Sequence, residues 1–301
     1  MILVAGGSGT LGTRLLDLLT GRGLDVRILS RNPGKAQPRI GDRVQIVPGD
    51  VRDARAVEHA VAGARTVVSA ITGFGAARDV SPRTVDWEGN ANLIRAAKAA
   101  GVEHFILLSV CQAASDHPIE LFRMKHHAEE ALRASGLAWT IIRPTAYMET
   151  WVGLLGDPLL NTGSTRIFGR GENPINFVSA HDVAHFVDLA VADHAMRGAA
   201  VDVGGPEDLT VKQVVETFQT MTGARGKVSH IPLPMMRVMS ALMKPFNPTM
   251  AGLIQAAVVM DTRDMTFDQS ETHRRYPSIS ATSLADVVRK DYAQRPSAPL
   301  Q

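Results

Sequence analysis

Residues 1–19 read MILVAGGSGTLGTRLLDLL, and this stretch decides the fold. Ile2, Leu3, Val4 and Ala5 form a short apolar run of the kind that makes a fully buried strand. Gly6, Gly9 and Gly12 follow at G-x-x-G-x-x-G spacing, and beyond them Leu11, Leu15, Leu16, Leu18 and Leu19 fall on one face of a helix. Glycines so placed permit a tight turn, let backbone approach a pyrophosphate and let helix pack against strand, while the first amides of the helix face the negative charge. A strand before the glycines and a helix after them separate a dinucleotide-binding turn from an ordinary one. Ser8, Thr10 and Leu11 lie in the same turn and join the three glycines as candidate cofactor-binding residues.

Working outward, short β-branched or leucine-rich runs alternate with longer amphipathic stretches, the pattern of repeated βαβ units around a parallel sheet. Strands are predicted at Ile2–Ala5, Asp25–Ser30, Val44–Val47, Thr66–Ala70, His104–Ser109 and Trp139–Arg143, with helices over Val85–Ala100 and Ile119–Ala134. The fold class is α/β, a Rossmann-type doubly wound parallel sheet with a smaller C-terminal substrate lobe. Residues 1–158 are expected to form the dinucleotide-binding domain, with 176–204 returning to its sheet and 159–301 mainly forming the lobe. Glycines and prolines over 145–175 suggest a hairpin, STRIFGRG then INFVSA, turning at Glu172-Asn173-Pro174. A helix is predicted to begin at Asp182, its carboxylate capping free amides, followed by a strand at Ala200–Val203 and a helix over Val211–Met221. The polar tail after Asp291 is expected to be loose.

The chain has 301 residues, 45% of them hydrophobic and 21% charged, which excludes disorder and a collagen-like repeat. Thirty-two basic against 30 acidic residues leave a net charge of +2, too small to make nucleic acid the main partner. The start MILVA runs directly into the glycine turn without a basic start or cleavage site, so no secretory leader is expected. Arg237, Lys244 and four prolines interrupt the apolar stretch from Ile231 to Met260, so no integral membrane span is expected either. Cys111 is the lone cysteine, which excludes intramolecular disulfides and fits a reducing, cytoplasmic compartment.

The second strand speaks to which dinucleotide. An acidic residue about 20 positions beyond the glycines ordinarily binds the ribose hydroxyls of NAD. Here the strand ends in Ser30-Arg31. Arg31 can pair with the 2′-phosphate of NADP and Lys35 can add a second charge, so NADP(H) is the expected cofactor.

With these residues in view, the chain resembles the atypical short-chain dehydrogenase/reductase proteins. It is most similar to the NmrA-like NAD(P)H-binding group, which includes quinone and aryl-ether reductases as well as catalytically silent redox sensors. GGSGTLG, ILSRNPGKA, VPGDVRD, VDWEGNANLIRAAKAAGV, HFILLS, ALRASGLAWTIIRPTAYME and FVSAHDVAHFV look like family segments in family order over about residues 1 to 225. The resemblance implies that Asp50 and Val51 lie beside the adenine, Ala70 and Thr72 under the cofactor, and Pro144 to Tyr147 beside the nicotinamide. All follow predicted strands, at the carboxyl ends where open α/β sheets bind ligands.

Relatives that oxidise alcohols or reduce ketones use a serine and a tyrosine four residues before a lysine. Ser109 and Lys125 match the serine and lysine positions, and they are the candidate catalytic residues. Position 121, however, is Leu121, and none of Tyr147, Tyr276 or Tyr292 precedes a lysine by four. Ordinary carbonyl reduction is therefore unexpected. Lys125 is open to two roles, supplying a proton to a reduced substrate or only bonding the nicotinamide ribose, and Ser109 either orients substrate or bonds backbone. His181 and His185 stand four apart without a third ligand, so no metal site is expected. Cys111 is read as a buried thiol rather than a redox switch, and Met235, Met236, Met239 and Met243 as core or interface packing.

Together these features predict an NADPH-dependent reductase acting on an activated apolar electrophile such as a quinone or conjugated aromatic compound, with Tyr147, Met148 and Trp151 lining the substrate site. The alternative is a non-catalytic NADP(H)-binding sensor or assembly scaffold with a protein partner. A homodimer is compatible with both.

Overall fold

The computed structural model describes residues 1–36, 43–75 and 80–292. The side chain of Lys35 and residues 293–301, which make up nearly all of the tail expected to be loose, lie outside this description. The chain forms two compact units: Met1–Pro144 with Val183–Asp202, and Thr145–Asp182 with the chain from Val203 on.

The first unit is built on a seven-stranded sheet. Its strands are β1 (Ile2–Ala5), β2 (Val26–Ser30), β3 (Val44–Pro48), β4 (Thr66–Ser69), β5 (His104–Leu108) and β6 (Trp139–Pro144), with β10 (Ala200–Val203) added after three strands of the second unit. The order is β10-β6-β5-β4-β1-β2-β3. Ile2 pairs with both Val26 and Thr66, so β1 lies between β2 and β4, and β1 to β6 run parallel. Chain order reverses across β1, and this Rossmann-type switch point is where such sheets bind ligands, at the strands' carboxyl ends. Leu3, Ala5, Val67, Phe105, Leu107 and Ile141 are fully buried at the centre. That burial explains why β1 and β5 show no polar alternation.

Several helices set up the site. Thr10–Gly21 buries Leu11, Leu15, Leu16 and Leu19. The expected helix over Val85–Ala100 has two parts, a wide-turn segment Pro82–Gly89 opened by a capping box between Ser81 and Thr84, then a regular helix Asn90–Ala99. Glu120–Ala134 follows β5 and buries Phe122, Lys125, Ala128, Glu129 and Leu132, two of them charged.

The second unit differs from the sequence expectation in three respects. Its strands are β7 (Ala146–Tyr147), β8 (Ser164–Phe168), β9 (Ile175–Val178), β11 (Asp208–Leu209) and β12 (Lys227–Ile231). The expected hairpin is absent, because β8 pairs in parallel with β12 while β9 lies between β7 and β11. Gly169 and Gly171 take positive φ, and the Asp261 carboxylate accepts the amides of Arg170 and Gly171, drawing the connection away from a simple turn. The boundary also falls at Pro144 rather than 158, since a helix Met148–Thr162 buries Val152, Leu155 and Leu159 in the second core with Phe218 and Val287. Gly156 gives this helix close access to the Phe218 ring, where a Cβ would lie 2.5 Å from the nearest ring carbon. Finally, Asp182 does not cap its own helix, Ala180–Ala192. It accepts the amide and hydroxyl of Thr282, and the first amides of the helix go to Glu149 and Ser179.

The methionines divide. Met236 is buried and Met239 and Met243 are half-buried in the helix Leu233–Met243, whereas Met235 is exposed along with Val238 and Leu242. Among the described residues no helix is long and apolar enough to cross a membrane.

Candidate cofactor site

The glycine turn lies against the switch point. Gly6 has φ +89, and a Cβ there would sit 2.4 Å from the Ala70 carbonyl oxygen. A Cβ at Gly12 would sit 2.3 Å from the Gly6 carbonyl oxygen and 2.6 Å from the Gly7 Cα, so turn and helix close on each other. Gly9 is different. A Cβ there would meet only the Gly6 oxygen, at 3.3 Å, leaving that side of the turn open. Gly9 caps the helix without a side chain and the first turn carries no acidic residue, so its leading amides have no carboxylate or hydroxyl cap. Ser8 and Thr10 are exposed beside it, whereas the Leu11 side chain is buried and offers only its backbone amide outward. An open glycine face over uncapped amides fits a pyrophosphate.

At the end of β2, Ser30 is buried and its hydroxyl accepts the Asn32 amide, turning the chain so that Arg31 is exposed. Arg31 makes no hydrogen bond among the described residues. Asp50, two residues beyond β3, is gripped by Arg52 through Nε at 3.1 Å and Nη2 at 2.7 Å. The Arg52 bond, with a smaller contribution from the charge of Arg31, holds the Asp50 carboxyl below the usual carboxylate range. Val51 is half-buried beside it.

Beyond β4, the Ala70 amide bonds the Ala5 carbonyl and Thr72 begins a loop tied to a carboxylate that sequence reasoning missed. Asp86, on the wide-turn helix, accepts the Gly73 amide at 2.7 Å and the Thr72 hydroxyl. It faces the Lys125 ammonium at 3.0 Å, with side-chain exposures of 5% for the lysine and 0% for the aspartate. Burial pushes the Asp86 carboxyl up, and the nearby Lys125 charge is the largest influence opposing it. Lys125 Nζ also donates to the carbonyls of Ile71 at 2.9 Å and Leu108 at 2.8 Å. The expected catalytic lysine thus directs its ammonium into the protein. Asn90 extends the network, donating to the Asp86 carbonyl and meeting Ser69 Oγ at 2.6 Å.

Ser109 follows β5, and its hydroxyl is buried near the Glu129 carboxylate without a hydrogen-bond partner of its own among the described residues. Arg143 grips Glu129 with Nε at 2.8 Å and with Nη2, and Arg133 adds a third contact at 3.1 Å. Burial alone would raise the Glu129 carboxyl, but Arg143, then Ser109 and Arg133, bring it below its ordinary value. The half-buried Cys111 thiol is pushed up to about 11 by burial and by the nearby Asp202 carboxyl, so it stays protonated at neutral pH. Pro144 accepts the Cys111 amide.

In the second unit, Tyr147 is half-buried in β7, and burial, followed by the charge of Glu149, raises its phenol. Met148 is fully buried in the second core, which corrects its expected place in a substrate wall. Trp151 packs edge-on to Phe177 with ring centres 5.9 Å apart. Tyr276 and Tyr292 also belong to this unit, and the Tyr292 hydroxyl bonds Asp157. Among the described residues no group of three or more His, Cys, Asp or Glu side chains is placed to hold a metal ion.

Residues 6–194, from the glycine turn into the helix-rich stretch after Ala180, match the NAD(P)H-binding family. The chain belongs to this family. Its membership agrees with the NmrA-like, atypical short-chain dehydrogenase/reductase motifs in the sequence. This NAD(P)H-binding protein is 27% identical over 279 residues to a photosystem II assembly factor of Synechocystis, an alignment covering 91% of this chain and 85% of the relative. It is 29% identical over 224 residues to an NAD(P)H azoreductase of Xenophilus azovorans, covering 74% of each. Its fold matches the NADPH complex of an NADPH-dependent quinone oxidoreductase from Escherichia coli with a TM-score of 0.75, at 22% identity over 96% of this chain and 99% of that one.

Proposed function

We propose that the protein is an NADPH-dependent reductase that delivers hydride to an activated apolar electrophile, a quinone or a conjugated aromatic compound. The carrying observation is the combination of an open, uncapped glycine turn with an exposed Arg31 where NAD-binding relatives place a carboxylate. Bound NADPH would supply the hydride. Gly9 and the leading amides of the helix would hold the pyrophosphate, and Arg31, with Lys35, the 2′-phosphate. Asp50 and Val51 would flank the adenine, with Ala70 and Thr72 beneath the cofactor and Pro144 and Tyr147 toward its nicotinamide end.

The substrate class follows from proton supply. Simple ketones need a positioned acid, and neither Leu121 nor the engaged Lys125 ammonium provides one. A quinone or azo-type electrophile accepts hydride without a strong acid beside it, and the azoreductase relative belongs to that chemical class. Tyr147 and Trp151 remain the proposed aromatic contacts for such a substrate.

The second reading is an NADP(H)-binding assembly factor without turnover, favoured by the 27% identity to the photosystem II assembly factor over 91% of the chain. Steady-state NADPH oxidation against a panel of quinones, azo compounds and simple ketones separates the two. Turnover confined to the first two classes supports the reductase. Tight NADPH binding without oxidation by any of them supports the assembly factor.

A further inference from the structure

The Lys125 ammonium meets three segments: it donates to the carbonyls of Ile71 beyond β4 and Leu108 at the end of β5, and it pairs its charge with Asp86 on the wide-turn helix at 3.0 Å. The other oxygen of Asp86 takes the Gly73 amide, and Thr72 adds its hydroxyl. Residues 71–73 are therefore held from both sides by one buried pair. This loop is also the wall of the glycine turn, for a Cβ on Gly6 would lie 2.4 Å from the Ala70 oxygen and 3.2 Å from the Ile71 nitrogen. At its far end a Cβ on Gly73 would lie 2.2 Å from the Ser81 oxygen, so the loop has no slack against the start of the helix that carries Asp86.

We propose that Lys125 and Asp86 form a positioning pair, which holds residues 71–73 in the shape that supports bound NADP(H) while neither side chain touches the cofactor. The proposal rests on the NADPH site described above but not on turnover. Three further charges stand near. Glu129 lies one helical turn beyond Lys125 and is engaged by Arg143 and Arg133, while the β4 loop and β5 present only carbonyls to the ammonium.

Breaking a buried pair on one side strands the remaining charge, whereas removing both charges together is far better tolerated. Equilibrium NADPH binding by calorimetry tests this on the full chain. Asp86→Asn should weaken NADPH by about tenfold or more, although Asp86 is fully buried, and Lys125→Met by a similar factor. The Asp86→Asn/Lys125→Met double variant should regain most of the affinity, because the remaining side-chain amide oxygen can still accept the Gly73 N–H. A double variant as weak as Lys125→Met would mean that Lys125 touches the cofactor, and Asp86→Asn binding NADPH normally would mean that the pair positions nothing. Either result overturns the proposal. If Asp86→Asn fails to fold, the neutral double variant still decides through its affinity relative to Lys125→Met. Failure of the unmutated protein to bind NADPH would instead overturn the cofactor assignment.

Discussion

Replacing Gly9 by alanine adds one methyl group to an open side of the glycine turn. The new Cβ would meet a single atom of the cofactor-free protein, the Gly6 oxygen at 3.3 Å, and the backbone at Gly9, φ −83 and ψ 179, suits alanine. The small cost of an alanine at a helix cap and the gain from a less flexible unfolded chain are each about 0.5 kcal/mol and oppose one another. The thermal midpoint should therefore move by no more than about 2–4 °C, the shift per kcal/mol for a chain of this size class. With NADPH present, the methyl group stands between the pyrophosphate and the helix amides. Losing one charge-assisted hydrogen bond costs about 1.5–3 kcal/mol, or roughly 10- to 150-fold in Kd. Gly12→Ala is the control, because its Cβ would fall 2.3 Å from the Gly6 oxygen and 2.6 Å from the Gly7 Cα. Backbone must move to admit it, so this variant should lose about 1–3 kcal/mol of stability even without cofactor. Calorimetric titration and thermal melts of both variants check the pair. Normal NADPH binding by Gly9→Ala, or a cofactor-free midpoint as low as that of Gly12→Ala, would refute the reasoning.

Arg31→Ala should remove most of a preference for NADPH over NADH of about tenfold or more, and equal dissociation constants for the two cofactors in the unmutated protein would contradict it. Secondary alcohols with NADP⁺ should turn over at least about a hundredfold more slowly than quinones with NADPH, since no positioned acid–base group replaces the missing tyrosine; comparable rates would sink this expectation. His104 gives a stability signature. Its Nε2 meets Thr140 Oγ1, whose own proton goes to the Met196 carbonyl, so Nε2 carries a hydrogen and donates it. Burial, followed by the charges of Arg197 and His194, lowers its pKa from 6.5 to about 4. The unfolded ring binds a proton that the folded one refuses, so stability should fall as pH drops from 6.5 to 4, by at most about 3 kcal/mol. Denaturant titrations of His104→Gln should show a flatter profile over that window, and an unchanged slope would assign the effect elsewhere.

The parallel sheet was legible because each of its first six strands is a short apolar run bounded by turn residues and followed by a helical stretch. The second unit was less so, because its strands find partners far away in sequence: Ser164–Phe168 pairs with Lys227–Ile231, not with the run that follows it. Gly153, Gly156 and Pro158 disguised the helix Met148–Thr162 as a loop, although packing against Phe218 requires a glycine at 156. At the site, the glycine turn and Arg31 were local signals. Asp86 and Asn90 also left a trace, since both fall on the core-facing side of an amphipathic helical stretch, where polar side chains need partners. What spacing could not show was that Asp86 faces Lys125, or that Glu129 beside Ser109 meets Arg143, because those pairs form only when separate elements pack.

Hydride transfer itself is most directly tested by a single-turnover reaction with NADPH deuterated at the transferable C4 position of the nicotinamide. Protein saturated with the labelled cofactor is mixed with a quinone without oxygen, and the products are analysed by mass spectrometry and by absorbance at the nicotinamide band. The reductase assignment predicts stoichiometric loss of the reduced-nicotinamide absorbance, with a primary isotope effect on the transfer step and the label gone from the oxidised cofactor. Tight binding with the absorbance unchanged, for quinones and conjugated aromatic compounds alike, would contradict it.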